Sequence, residues 1–166
     1  MANVITHSTG TMMSNPDEAR ALFDVTDADL AALRQLGECV VPKMDDFVEA
    51  FYVWLKTLPE FDVYFPDQSM VDHVKGLQKA YWLEVFAGEI NQAYFDRRMT
   101  VGETHARIGL PLGIYFSAMN RATVLFTGEL YDDSLDAESY AASVLALHKV
   151  ASMDTVSYTH LRAHET

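Results

Sequence analysis

The chain has 166 residues, 49% of them hydrophobic, and a formal net charge of −12 at pH 7. That length and apolar content suit one domain with a real core and exclude a disordered chain. The acidic balance argues against non-specific binding to nucleic acid or to an anionic membrane surface, which both need basic patches. One cysteine, Cys39, rules out an internal disulfide framework and a cysteine-rich zinc site. No N-terminal basic segment leads into an apolar run, so no signal peptide is expected. No apolar run reaches the ~18 residues of a membrane span. The expected location is cytoplasmic.

Residues 1–25 read as a flexible lead-in, with a possible short helix from Pro16 to Phe23. Asn15 would be its N-cap, and Pro16 suits the first helical position. Thr26 or Asp27 then caps a clearer helix whose Leu30, Leu33, Leu36 and Val40 fall three or four apart; it should end near Val41. A second helix is predicted from Pro42 to Leu58, with Phe47, Phe51, Trp54, Leu55 and Leu58 on one face, stopped by Pro59. An aromatic connector follows to Asp67. The third helix covers 68–87, with Met70, Val74, Leu77, Tyr81 and Val85 in a row and Gly88 closing it. Asn91 caps a fourth through Ile108, broken by Gly109-Leu110-Pro111. A fifth runs from Pro111 to about Tyr131, and a sixth from Asp136 to Asp154. No strand alternation, hairpin signal or internal repeat appears. The class is all-α, with six main helices. The polar, basic tail 156–166 (VSYTHLRAHET) breaks the pattern and reads as a non-native extension.

Several chemistries are absent: a Gly-rich phosphate loop, His-Glu-x-x-His and Gly-x-Ser-x-Gly. No histidine has a glutamate three residues before it, which excludes the paired motif of a di-iron bundle. Asp45–Asp46 and Asp132–Asp133 read as solvated helix-start charges. His105, at a helix end just before the break, carries most of the functional information. Its ordinary reading is a satisfied core or surface histidine. Its sharper reading is an axial ligand to haem iron, in an aromatic-rich slot between helices. Nine Phe, eight Tyr, eight Met and two Trp are available to line one. A reversal at Gly109–Pro111 would bring the Tyr115 hydroxyl back towards His105.

The run His105-Ala106-Arg107-Ile108-Gly109-Leu110-Pro111, with Tyr115 after it, resembles the proximal signature of the globin-coupled sensor family. Phe51-Tyr52 with Leu58-Pro59-Glu60 resembles the family's distal-tyrosine segment. Tyr81-Trp82-Leu83-Glu84-Val85-Phe86-Ala87-Gly88 resembles the helix after the distal wall. The resemblance implies a globin fold of the sensor type over 26–155, with haem b held between the third and fourth helices. His105 then matches the proximal ligand, Tyr52 the distal hydrogen-bond donor, Val74 and Leu77 the distal wall, and Tyr115 the tyrosine beside the proximal histidine. Both wall residues are apolar, so Tyr52 is expected to be the sole donor. Ile114 departs from the tryptophan of many relatives.

The implied function is sensing a diatomic gas, O2 foremost, with CO and NO as further ligands. The resemblance also implies a homodimer through the last two long helices, and a downstream output domain such as a diguanylate cyclase, histidine kinase or chemotaxis signalling domain. The sensor region itself shows no catalytic constellation and is not read as an enzyme. Two rivals stay open: a haem-free globin-fold interaction module, and a stand-alone globin that stores O2 or consumes NO.

Overall fold

The computed structural model describes the backbone of residues 15–164 and the side chains of residues 15–156. The lead-in expected before Asn15 lies outside the described residues. Asn15 accepts hydrogen bonds from the backbone N–H groups of Asp17 and Glu18 and opens α1 (Pro16–Leu22). Thr26 opens α2 (Asp27–Val40) through a reciprocal box. The Asp29 N–H donates to Thr26 Oγ1 at 3.2 Å, and the Thr26 N–H donates to Asp29 Oδ2 at 2.8 Å. Leu30, Leu33, Leu36 and Val40 of α2 are all buried.

Asp29 also accepts from Lys149 of the last helix. Burial pushes the Asp29 carboxyl up, but the bonds from Thr26 and Lys149 outweigh it and hold it below 3.8. A depressed carboxyl contributes stability above its unfolded value and loses it as pH falls through its folded value. Asp29→Asn should therefore cost about 0.5–1 kcal/mol at pH 7, the low end for a cap because the lysine is open to solvent. Urea melts at several pH values should show that difference shrinking below 3.8.

Proline chemistry shortens the second predicted helix at both ends. Pro42 has no N–H to give, and Val41–Lys43 tighten into a 3-10 turn before α3 (Met44–Leu55) begins. At the far end the Thr57 N–H and hydroxyl both donate to the Trp54 carbonyl, closing the helix before Pro59. The connector is not irregular throughout. It contains one turn, α4 (Phe61–Tyr64), pinned by stacking of Phe61 on Phe65 at 4.8 Å.

α5 (Gln68–Ala87) starts at an Asp67 cap and ends at Gly88, whose φ of 62° is the left-handed cap conformation. A Cβ there would lie 2.8 Å from the Leu30 carbonyl, so Gly88 also permits the close approach of α5 to α2. α6 (Gln92–Arg107) follows its Asn91 cap. α7 (Leu112–Val124) stops earlier than the predicted fifth helix and widens into a π turn over Leu125–Glu129. The wider turn is closed by the Leu130 N–H on the Leu125 carbonyl. It leaves the Thr127 carbonyl to accept the Tyr140 hydroxyl, a tertiary bond that a sequence window does not contain. α8 (Ala137–His164) runs on past Asp154. No Gly or Pro follows Ala137, so nothing local stops it.

α8 packs on α2 and α6, while α5 packs on α2 and α3. The core centres on Phe126 of the π turn, which stacks on Phe47 at 4.1 Å and meets Trp82 and Phe86 edge-on. Ser143 of α8 donates to the Ala32 carbonyl, so α2 and α8 approach closely. Among the described residues there is no strand, and no helix is long and apolar enough to cross a membrane.

Candidate haem site

His105 sits in the last turn of α6, and the chain's own backbone fixes it there. Ile108 is the C-cap. The Gly109 N–H donates to the Ala106 carbonyl at 2.9 Å, and the Leu110 N–H donates to the His105 carbonyl at 3.1 Å. These two bonds make a Schellman motif. It needs a left-handed residue at position 109, and Gly109 has φ 67°. The Gly-Leu-Pro break is thus a cap that closes on the histidine's own carbonyl. Pro111 then leads straight into α7.

The reversal brings Tyr115 of α7 against His105, with ring centroids 5.3 Å apart. Tyr115 is buried, and the imidazole is half-buried. Burial lowers the His105 pKa from 6.5, so the ring is neutral at pH 7 and has a lone pair to give. Among the described residues, no group of three His, Cys, Asp or Glu is placed to chelate a metal ion directly. A lone imidazole suits a metal that brings its own equatorial ligands, as in haem.

Tyr52 lies on α3 and is only 2% exposed. Its ring meets Phe51 and Phe65 edge-on, and the Lys75 ammonium lies 5.4 Å above it. Burial pushes its phenol far above 10.0, so Tyr52 keeps its proton and remains a donor. Val74 of α5 is half-buried and packs on the core. Leu77, one turn on, is 58% exposed. It belongs to the stripe Met70–Val74–Leu77–Tyr81, spaced four, three and four residues apart on one side of α5. The stripe ends at Tyr81, whose hydroxyl donates to Asp154 at 2.7 Å. Met70 and Leu77 on α5 stay exposed, as do Ile108, Leu112 and Phe116 near His105. A flat apolar group would cover such side chains.

Gln78 escaped the sequence reading. It lies four residues beyond Val74, and its Oε1 is buried with no hydrogen-bond partner among the described residues. A polar residue inside an otherwise apolar inward face was the available signal, but glutamine is an ordinary helix former and does not stand out. His73 and His148 are exposed.

A solved structure, the globin domain of the Geobacter sulfurreducens globin-coupled sensor, matches this fold with a TM-score of 0.78. The identity is 21%, over 86% of this chain and 94% of that chain. The match shows a globin fold of the sensor-domain type. Residues 12–166 match the family model for protoglobins. The chain belongs to the protoglobin family. Membership implies haem binding, and the residues present fit that group. The neutral His105 imidazole could offer a nitrogen to an iron, Ile108, Leu112 and Phe116 near it in the chain are exposed, and Gln78 Oε1 is a buried polar atom of α5 with no partner among the described residues.

Proposed function

We propose that this protoglobin is a haem-based gas sensor domain that takes O2 as its principal ligand and also takes CO and NO. The neutral, half-buried His105 imidazole, held by its cap and by Tyr115, carries this reading. Haem b, held non-covalently between α5 and α6, supplies a ferrous iron that binds a diatomic gas reversibly. His105 would hold the iron through an imidazole nitrogen. Val74 and the exposed Leu77 cover the haem on the α5 side. Tyr52 would donate a hydrogen bond from its buried phenol to the bound gas, and such a bond is stronger away from water than in it. Gln78 brings a second polar side chain to the wall that Val74 and Leu77 would otherwise make wholly apolar.

O2 draws more negative charge in such a site than CO does, so a phenol donor favours O2. Tyr52→Phe should speed O2 dissociation by roughly 5–30-fold, equivalent to about 1–2 kcal/mol, and leave CO release nearly unchanged. Stopped-flow displacement measures both rates. Equal effects on the two gases would remove Tyr52 from the pocket.

The same reading takes the protein to be a cytoplasmic homodimer through α7 and α8, where Val124 and Leu145 present apolar side chains to solvent. It also takes the domain to report to a C-terminal output domain. Reporting requires that the gas bind two states of the domain with different affinity. The primary test is the absorption spectrum of the purified, haem-supplemented protein in ferric, dithionite-reduced, O2 and CO forms. An intense Soret band, a five-coordinate reduced form and a stable O2 form support the proposal. Absence of a Soret band leaves a haem-free interaction module as the better account.

A further inference from the structure

The proposed haem site leaves one buried, densely bonded charge pair without a role. Arg98 of α6 and Asp154 of α8 are buried to 3% and 2% exposure, and Arg98 Nε donates to Asp154 Oδ2 at 3.1 Å. The same oxygen accepts the Tyr81 hydroxyl at 2.7 Å and the Tyr94 hydroxyl at 2.6 Å. The guanidinium lies between the two tyrosine rings, 3.8 Å from one centroid and 4.0 Å from the other. Its Nη1 donates to Glu84, and its Nη2 donates to the Tyr81 carbonyl. Three helices, α5, α6 and α8, therefore meet at one charge pair.

Burying two charges is a poor way to gain stability, because apolar residues of similar volume do as well or better. A fully satisfied buried network instead fixes one arrangement of its elements. The arrangement fixed here includes the position of His105. Arg98 and His105 are seven residues apart on α6, two turns along one face, so a shift of one end is a shift of the other. A second route crosses from α5 to α8: Tyr81 donates its hydroxyl to Asp154 at 2.7 Å.

We propose that Tyr81, Tyr94, Arg98 and Asp154 form a positioning joint that sets the register of α6 against α8 and carries a change at His105 into α8. The inference rests on His105 being the haem ligand. Arg98 and Asp154 are positioning residues in this proposal and act through His105.

The experiment uses the haem-supplemented, dithionite-reduced protein with and without CO. It reads amide hydrogen exchange along α8, the iron–histidine stretching band by resonance Raman, and the Soret band. In the parent protein, CO should change exchange of α8 amides near Asp154 by roughly five-fold or more, the lower end of ordinary coupling between sites. Asp154→Asn should keep the Soret band and CO binding, lose that change in exchange, and shift the stretching band. Tyr81→Phe keeps the ion pair and the ring stack, so it tests the cross-helix route even if Asp154→Asn fails to fold; it should reduce the change in α8. A stretching band and an α8 response unmoved in Asp154→Asn, or unmoved in Tyr81→Phe when only that variant folds, would overturn the joint while leaving the sensor reading intact. A parent protein with a Soret band but no α8 response to CO would do the same. A parent protein with no Soret band would overturn both.

Discussion

Replacing His105 by alanine is expected to weaken haem binding by roughly 100-fold or more, beyond the 10–100-fold that follows loss of a ligand's orienting partner alone. Titration of the apo-protein with haem, followed at the Soret maximum, measures it. Among the described residues, the other histidines, His73 and His148, are exposed, so neither offers a comparable half-buried imidazole. The fold should survive the change. The Schellman closure uses the backbone carbonyl of residue 105 and the left-handed Gly109, and alanine keeps both. Alanine also has the better helix propensity. The far-UV spectrum should thus be unchanged while the Soret band is lost. An intact Soret band with normal affinity in His105→Ala would move ligation to another residue and remove the basis for the gas-sensing proposal.

Asp154→Ala should destabilise the protein by about 3–5 kcal/mol, because it leaves a buried guanidinium without its counter-charge. Burial raises the Asp154 carboxyl above 3.8, opposed by Arg98 and the two hydroxyls. Burial pulls Arg98 the other way, and the surrounding Tyr94, Tyr81 and Asp154 keep it charged. The alanine variant removes the acceptor shared by three donors, so Tyr81 and Tyr94 also lose a partner. Urea unfolding of the apo-protein by circular dichroism gives the free energy. The double substitution Arg98→Met with Asp154→Leu should be more stable than either single change, since it removes both charges and fills their space. A loss below about 1 kcal/mol for Asp154→Ala would place the pair among solvent-screened ion pairs. Strict additivity of the two single changes would show that they do not act as one unit.

Helix caps were legible in the chain. Asn15, Thr26 and Asn91 each bond the backbone at a helix start, and Gly88 and Gly109 are left-handed at helix ends, because capping is decided within four residues. The break after His105 and the nearness of Tyr115 were legible for the same reason: a short, stiff reversal leaves the two rings little room to separate. Packing between helices set what the chain's local pattern leaves open. A helical stripe tells which residues share a side but not whether anything faces that side, so Leu77 read like Val74 although one is exposed and the other packs on the core. The π turn at Leu125–Glu129 presents the Thr127 carbonyl to the hydroxyl of Tyr140, which lies on the next helix. Arg98 and Asp154 are 56 residues apart, and each alone looks like a surface charge. Their pairing is set by packing of α6 on α8, because a buried charge is tolerated only where another element brings its partner to hydrogen-bonding distance.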